Sequence, residues 1–433
     1  MVNIMANGSF IKMGNKLGST FPETGDGLYD LIDAFYQGAY SFGKSAGAAT
    51  YGDNGYFNSI MGKEITAAMF ACDNVFTAIG ARAYQHEGVR LATEQASYGL
   101  VTSGDALDSG NLDVGDFGGL GAGTIQDGSV PASVKMPVTE FREPYKDLPF
   151  AFDYGLGLQA LENKDDTIAY RDYIDKMSTN YSNLADQTLL RPVYMKQPVK
   201  GGVETSLNSI SRCISSYGEI GKVENGVTLT GDYVSPYGGF TSAKGDFYSF
   251  RNSAASNLDG QLIDAASGAL SIADMRKLWR QCSVNWKDSA SPNNKMFAMS
   301  NVAQDKLGAL MLANNVYLDS VYVQRDFNGV KTIPGRDAGI LLQSFQNVPI
   351  IQDGNMNFDF TTKKVSTTKM GEIDLLDLDH IWLSMLTPLE MYNVNNPAIT
   401  RILQEVNVMN MRAETRIDSC IQHGKIVNLA DDS

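Results

Sequence analysis

The residues best suited to chemistry in this chain form a phosphate-binding pattern near its start. Residues 38–45 read GAYSFGKS and match the GxxxxGK[ST] pattern of P-loop nucleotide hydrolases letter for letter. That chemistry needs a buried strand before the loop and a helix after it, with the helix N-terminus aimed at the phosphates. Here the helical pattern LYDLIDAFYQ precedes the motif, and the small and turn residues AGAATYGDNGYF follow it. The context argues against a nucleotide site at Lys44, and a P-loop nucleotide hydrolase is kept as an alternative of a different class.

Two other patterns could bind a cofactor or a metal ion. GGLGAG, which begins at Gly118, lacks the entering strand and the leaving helix of a dinucleotide fingerprint. Oxygen and imidazole donors of the kind that hold metal ions lie close together at Asp374, Asp377, Asp379 and His380. Because DLLDLDHIWL alternates polar and apolar residues, with the leucines inward, we predict a solvated strand edge there instead of a metal site.

Nucleophilic catalysis has few suitable residues in this chain. The histidines are His86, His380 and His423, and no serine or cysteine lies in a nucleophile motif such as GxSxG. We therefore predict a protein that is not an enzyme, with no catalytic residue, no cofactor and no metal.

Composition narrows the class of protein further. The chain has 433 residues, of which 43% are hydrophobic and 19% charged, as in ordinary folded proteins that can bury two or more cores. Its net charge of -14 would repel phosphate backbones, which argues against tight nucleic-acid binding. We find no signal peptide and no membrane-spanning run, so we expect assembly in the cytosol. Four widely spaced cysteines predict small buried residues rather than disulfides or zinc ligands: Cys72, Cys213, Cys282 and Cys420.

The elements that must position any functional residue include a glycine-rich stretch between residues 115 and 152. Six glycines fall in DVGDFGGLGAGTIQDG, and GSVPASVKMPVTEFREPYKDLPFAF then alternates apolar and polar residues. The pattern predicts an extended arm of two strands. An isolated two-stranded hairpin is marginal in water, so we expect another copy of the chain to hold it.

Two helical stripes flank this arm. From Met61 to Ala83, apolar residues recur at alternating spacings of four and three, which predicts an amphipathic helix. The same spacings predict a long spine helix over residues 165–190, ended by Pro192.

The rest of the chain alternates strands and capped helices. Asn225 and Gly226 predict a hairpin turn within a β insertion. Ser271 and Ser300 predict the starts of two helices on either side of the strand KMFAMS. FQNVPIIQDGN predicts a buried strand that ends in a turn, and VMNMRAETRIDS predicts a long strand with one charged face.

These pieces, in this order, resemble the major capsid protein of tailed double-stranded DNA viruses, which has the Hong Kong 97-type capsid fold. The resemblance is one of pattern and order over about residues 110–430 and rests on no single motif. It implies an α+β fold with an N-terminal arm, an extended β loop, a spine helix, and peripheral and axial domains. The implied parts are residues 1–113 as an N-terminal arm with helices, 114–156 as the extended loop, 157–260 as a peripheral domain with the spine helix and the β insertion, 261–379 as the axial domain, and 380–433 as C-terminal strands returning to the peripheral domain.

The resemblance implies a structural function. The chain would self-assemble into the hexamers and pentamers of an icosahedral shell that encloses a viral double-stranded DNA genome. It would be found in the virion after assembly in the host cytoplasm. Its partners would be copies of itself, then portal, scaffold and cement proteins, with packaged DNA nearby and no sequence-specific binding. An encapsulin-type nanocompartment shell is the alternative with the same fold.

Charged residues of the loop and of the last long strand are the candidates for subunit-interface pairs. They are Lys135, Arg142, Glu143 and Lys146 in the loop, and Arg412, Glu414 and Arg416 in the strand. As solvated surface charges, pairs of them would contribute only about 0–1 kcal/mol each. Some relatives cross-link lysine to asparagine between subunits, and here the donor would be Lys135 or Lys146 and the acceptor Asn395 or Asn396.

Overall fold

The computed structural model describes rather more than half of the chain, in separate segments. The described residues are 2–3, 12–13, 74–83, 88–92, 138–155, 167–195, 199–200, 203–234, 258–284, 294–314, 319–326, 329–332, 340–360, 362–393 and 404–431. Helices and strands both contribute to the two large cores, so the predicted α+β class is confirmed. Within these segments, no helix is both long enough and apolar enough to cross a membrane.

The described helices are six α-helices and two short 3-10 helices. They are α1 (Val75–Ile79), α2 (Thr167–Leu189), α3 (Ile210–Cys213), α4 (Gly231–Val234), α5 (Ile272–Val284) and α6 (Asn301–Ala313), with 3-10 helices at Tyr217–Glu219 and Gly354–Asn357. The helix α2 is the spine helix that the sequence predicts. The predicted caps are present, because the Ser271 hydroxyl accepts from the Asp274 amide at 3.1 Å and the Ser300 hydroxyl accepts from the Ala303 amide at 3.1 Å.

The described strands fall into two large sheets and several two-stranded ribbons. They are β1 (Val2–Asn3), β2 (Lys12–Met13), β3 (Ala81–Ala83), β4 (Gly88–Ala92), β5 (Val138–Arg142), β6 (Lys146–Gly155), β7 (Val199–Lys200), β8 (Val203–Glu204), β9 (Val223–Glu224), β10 (Val227–Thr228), β11 (Gln261–Asp264), β12 (Lys295–Met299), β13 (Asp319–Asp326), β14 (Gly329–Thr332), β15 (Ile340–Phe345), β16 (Val348–Gln352), β17 (Phe358–Asp359), β18 (Lys364–Val365), β19 (Ile373–Asp377), β20 (Ile381–Asn393), β21 (Gln404–Ile417) and β22 (Gly424–Val427).

The larger sheet has eight strands in the order β11-β22-β19-β12-β16-β15-β13-β14. Two neighbouring pairs in it, β11 with β22 and β12 with β16, are parallel, and the other pairs are antiparallel. The apolar residues of α5 and α6, such as Leu278 and Leu307, pack on this sheet against Phe297 and Ile373. This eight-stranded unit therefore has a hydrophobic core of its own.

The smaller sheet has four strands in the order β3-β20-β21-β6, and the spine helix α2 lies against it. The Tyr181 hydroxyl donates to the Leu148 carbonyl oxygen at 2.7 Å, which joins α2 to β6. The rings of Phe152 and Tyr173 pack edge to face at 5.8 Å between their centroids. The chain passes from the eight-stranded sheet to the four-stranded sheet between Asp377 and Ile381.

Turn chemistry in the sequence predicts one hairpin correctly and misses another. Asn225 and Gly226 have φ values of 45° and 78° and connect β9 to β10, as the sequence predicts. FQNVPIIQDGN is not one strand, because Gln346 and Asn347 at φ 52° and 65° turn the chain from β15 into β16. A glutamine at the first turn position is a weak sequence signal, and the hairpin was therefore missed.

Several predicted elements lie elsewhere in the fold. In the stripe from Met61 to Ala83, residues 61–73 lie outside the described residues, and α1 ends at Gly80, where φ is 79°. The segment around Asp374 is not a solvated edge, because β19 lies between β22 and β12 with all its residues buried. The C-terminal β22 belongs to the eight-stranded sheet, whereas the sequence predicts its return to the other unit.

The cysteines that the structure describes behave as small buried residues. Cys213, Cys282 and Cys420 are buried and are not in disulfides, and Cys72 lies outside the described residues. Burial raises the pKa of the Cys282 thiol, which keeps it protonated and unreactive.

Two glycine-to-alanine substitutions are expected to have opposite effects on stability. A Cβ on Gly260 would lie 1.9 Å from the carbonyl oxygen of Ile214, so Gly260→Ala should lower the free energy of unfolding by about 1–3 kcal/mol or more. Gly308 in α6 has no atom within 4 Å of such a Cβ, so Gly308→Ala should raise the free energy of unfolding by about 0.5–1 kcal/mol. Urea unfolding of both variants measures the difference, and shifts of the same sign would contradict it.

Candidate assembly site at the base of the extended loop

A two-stranded ribbon forms the base of the extended loop. The strands β4 and β5 pair antiparallel from Gly88 opposite Arg142 to Ala92 opposite Val138. Among the described strands, neither pairs with a strand of the two large sheets. Residues 93–137, which include the six glycines of DVGDFGGLGAGTIQDG, connect Ala92 to Val138 and lie outside the described residues. The predicted start of the loop at residue 114 lies among them and stays a prediction.

The strand that follows the ribbon belongs to the body of the chain. β6 pairs antiparallel with β21 along its whole length, from Lys146 opposite Ala413 to Gly155 opposite Gln404. The sequence predicts that β6 is part of the extended arm, and this prediction is wrong. The apolar side chains of Leu148 and Phe152 pack into the core under the spine helix, and this burial fixes β6 to the body.

The turn between β5 and β6 carries a buried ion-pair network. The ammonium group of Lys146 contacts the carboxylate of Glu143 and lies 2.8 Å from the carboxylate of Glu414 on β21. All three residues are at least 95% buried within the single chain. Burial alone would lower the pKa of Lys146, but the charges of Glu414 and Glu143 outweigh it and raise the pKa above its usual value. Lys146 is therefore charged and paired.

Backbone groups complete the surroundings of Glu414. Its Oε1 accepts from the amide of Asn208 at 3.0 Å and from its neighbour Thr415 at 2.9 Å. The Thr415 hydroxyl in turn donates to the Asn208 carbonyl oxygen at 2.8 Å. The network therefore joins the segment before α3 to β21 as well as to the β5–β6 turn.

Arg416 fixes the same turn from its other side. Its guanidinium donates to the Glu143 carbonyl oxygen at 2.8 Å and lies 5.2 Å from the centroid of the Tyr145 ring. The Tyr145 hydroxyl is 2.7 Å from the Ser384 hydroxyl on β20. Arg416 and Lys146 therefore both hold the turn that carries Glu143 against β21.

The structure brings together four of the seven residues predicted at subunit interfaces. Glu143, Lys146, Glu414 and Arg416 lie in one buried network and pair within the chain, whereas the sequence predicts that they pair between subunits. The reason is that both faces of β21 are covered at its C-terminal half, where strand alternation predicts only one buried face.

The other three predicted residues are placed differently. Arg412 is exposed and lies 3.8 Å from Asp147, another exposed side chain, within the same chain. Arg142 is the last residue of β5, and Lys135 lies outside the described residues. An interface role for these three stays a prediction. Of the cross-linking pairs, Asn395 and Asn396 lie outside the described residues, and the Lys146 amine is enclosed between two carboxylates.

Sequence reasoning missed the residues that enclose this network. Asn208, Tyr145 and Ser384 contribute backbone and hydroxyl groups from separate parts of the chain, and no spacing in the sequence marks them. The one local signal was the opposite charge of Glu143 and Lys146 three residues apart.

A second buried network joins the β insertion to the eight-stranded unit. The Lys425 ammonium on β22 lies 2.7 Å from Glu219 and donates to the Ser211 hydroxyl and carbonyl oxygen at 3.1 Å each. The Ser211 hydroxyl donates to Glu372 at 2.7 Å. Burial raises the pKa of nearby Glu224 to about 7, with Lys425 opposing the shift.

The described residues hold no group of acids, histidines or cysteines arranged for a metal ion. Asp377 pairs with Lys295 at 2.7 Å, and His380 lies 2.7 Å from Asp418. The P-loop pattern at residues 38–45 and GGLGAG at 118–123 lie outside the described residues.

Comparison with known proteins finds similarity only among solved structures. No model of a known protein family matches the chain, and no curated protein matches it. A capsid chain of cyanophage A-1(L) is 10% identical with a TM-score of 0.46, over 82% of this chain and 92% of that one. A chain of the satellite phage P4 procapsid, which includes a size determination protein, is 8% identical with a TM-score of 0.41, over 92% and 97%.

The holo-SrpI encapsulin complex from Synechococcus elongatus is also similar, at 11% identity and a TM-score of 0.37, over 68% of this chain and 76% of that one. Most of the similar structures are capsid proteins. Because all these TM-scores are below 0.5, fold and function are argued from the chain's own elements.

Proposed function

We propose that this chain is a major capsid protein that self-assembles into the closed icosahedral shell of a tailed virus. Copies of the chain form hexamers and pentamers, and the shell encloses a double-stranded DNA genome in the virion. The role is structural, without catalysis or a cofactor. The observation that carries the proposal is the ribbon of β4 and β5, whose strands pair with each other and with no described strand of the two large sheets.

A ribbon of two strands needs support from outside itself. Two strands alone are marginally stable in water, and a long connection inside a compact domain is unusual unless it has a function. A neighbouring copy of the chain supplies that support when the loop lies across it. The buried network around Lys146 and Glu414 holds the base of the loop rigidly, so that all copies present the loop in the same direction.

The two cores of the chain suit a subunit that contacts several neighbours. In the proposal, the four-stranded sheet with the spine helix is the peripheral domain, and the eight-stranded unit is the axial domain around which copies meet. Because a closed shell engages many contacts at once, each copy is held far more tightly than any single contact would hold it. Portal, scaffold and cement proteins are further proposed partners, and the net charge of -14 suits packaged DNA that lies nearby without sequence-specific binding.

Electron microscopy and mass measurement of the purified full chain test the proposal. We expect uniform closed particles of megadalton mass, assembled in the host cytoplasm, and nuclease-protected double-stranded DNA in particles from infected cells. Particles that hold protein cargo and no genome would indicate an encapsulin-type compartment instead. A monomer or small ring that hydrolyses ATP, and loses the activity in Lys44→Ala, would overturn the proposal in favour of a P-loop hydrolase.

A further inference from the structure

Two aspartates meet in the interior where three parts of the fold come together. Asp186 lies on the spine helix α2, and Asp353 lies directly after β16 of the eight-stranded sheet. Asp186 is fully buried and Asp353 is 4% exposed. The two carboxyl groups are neighbours, because both accept hydrogen bonds from Asn355 and both accept from the consecutive amides of Val75 and Phe76. None of the interactions described so far uses this pair.

Every carboxyl oxygen of the pair also accepts a hydrogen bond from an N–H group. The amides of Val75 and Phe76, at the start of α1, donate to Asp353 Oδ2 at 2.8 Å and to Asp186 Oδ1 at 2.9 Å. Asn355 donates its side-chain amide to Asp186 Oδ2 at 2.6 Å and its backbone amide to Asp353 Oδ1 at 2.9 Å. The pair thus joins α1, the spine helix and the eight-stranded unit at one point.

The surroundings of the pair offer no counter-charge. The donors to it are backbone amides and Asn355, and among the described residues no lysine, arginine or histidine forms a salt bridge with either carboxyl. The adjacent side chains of α1 and α2 are neutral, with Asn74 donating to the Ser182 hydroxyl at 3.0 Å and Gln187 donating to Asn355 at 3.3 Å. From β12, the Met299 carbonyl oxygen accepts from the Asp353 amide at 2.9 Å. Ionisation of two neighbouring buried carboxyl groups without a cation is strongly disfavoured, so the arrangement favours one bound proton for the pair.

We propose that Asp186 and Asp353 share one proton, and that this proton fastens α1 and the spine helix to the eight-stranded unit. Loss of the proton leaves two negative charges in contact inside the protein, and their repulsion releases α1 from the junction. The pair is therefore a proton-operated clasp between the two cores. It does not depend on the chain's assembly into a shell.

The direction of the pH dependence follows from the pair's environment. Burial, and then the charge of Asp353, raises the pKa of Asp186 well above its usual value, and burial also raises that of Asp353. A carboxyl whose pKa is raised in the folded state stabilises that state at low pH. The stabilisation declines as pH rises from the unfolded value of about 4 to the folded value. For one proton, the equilibrium constant for opening rises about tenfold per pH unit across that window.

Hydrogen exchange of the full chain, followed by mass spectrometry on peptides that cover residues 74–79, tests the clasp. After correction for the intrinsic exchange rate, we expect opening of this segment to increase about tenfold per pH unit over part of the range from pH 5 to 9. In Asp353→Asn the second carboxyl is gone and only burial raises the pKa of Asp186, so opening should rise less with pH over that range than in the wild type. Asp305→Asn, which removes an exposed charge on α6, is the matched control and should keep the wild-type slope.

Two results would overturn the clasp. One is a flat dependence in the wild type, or the same slope in the wild type and in Asp353→Asn. The other is protection that appears on adding Mg²⁺ or Ca²⁺ at constant pH in the wild type alone, since a cation would then replace the shared proton. If Asp353→Asn does not fold, Asp186→Asn replaces it in the same comparison. If neither variant folds, the pH dependence of opening in the wild type is the test by itself.

Discussion

Replacement of residues 93–137 by the dipeptide Asn-Gly is expected to give a folded subunit that forms no closed particles. Ala92 and Val138 are directly opposite each other in the ribbon, so a two-residue turn can join β4 to β5 without disturbing either. The network around Lys146 and the pairing of β6 with β21 stay intact, and both cores keep their packing. What the variant loses is the segment that reaches a neighbouring copy.

The loss should be large because shell assembly multiplies contacts. Removal of one of several simultaneous contacts lowers the overall affinity by about 10²–10⁴-fold, so particles should be undetectable at concentrations at which the wild type assembles fully. Circular dichroism and thermal unfolding report whether the subunit is folded, and electron microscopy and light scattering report particles.

The matched control for this replacement keeps the number of residues in the loop but changes their sequence. Residues 93–137 replaced by a glycine-serine linker of equal length should also fail to assemble, because such a linker is a flexible coil with no surface for a partner. Normal particles from either variant would remove the loop from the assembly mechanism. A deletion of residues 119–150 would not be informative, because it removes β5 and half of β6 and exposes the core.

Substitution of Lys425 by methionine is expected to cause the largest loss of stability from a single side chain outside the loop. Lys425 and Glu219 are both completely buried, and their charged groups are 2.7 Å apart. Methionine fills the same volume but leaves the carboxylates of Glu219 and Glu372 without a counter-charge. Loss of one partner of a buried pair typically lowers the free energy of unfolding by about 3–5 kcal/mol.

An exposed ion pair nearby provides the control. Lys222 pairs with Asp264 at 2.8 Å, but about a third of the Lys222 side chain is exposed, so Lys222→Met should cost less than about 1 kcal/mol. Urea unfolding of the unassembled subunits measures both variants. Equal and small effects for the two lysines would contradict the prediction.

Local patterns in the sequence predicted individual elements well. The stripe over residues 165–190 became the spine helix, and Ser271 and Ser300 cap their helices as expected. The turn at Asn225 and Gly226 also formed. These features depend on neighbours a few residues apart, namely hydrogen bonds to the next turn of backbone and side chains that repeat on one face, so the sequence alone contains their cause.

Which element pairs with which was harder to predict. β6 has the alternation of a free arm, yet it pairs along its length with β21, more than two hundred residues later. β19 carries Asp374 and Asp377 but is a central strand, because Lys295 pairs with Asp377 across the sheet. The residues of a strand do not identify the neighbouring strand, because the alternation of apolar and polar residues predicts only which face is buried.

The sequence by itself determined the α+β class, the caps, the spine helix and the expectation of a long loop that cannot support itself. Only the tertiary structure decided that Glu143, Lys146, Glu414 and Arg416 are one buried network, and that Asp186 meets Asp353. The physical reason is that a charge is stable inside a protein only beside its complement, and that complement comes from a distant part of the chain. Spacing along the sequence predicts helices and turns, whereas the packing of the two cores determines which charged side chains are buried.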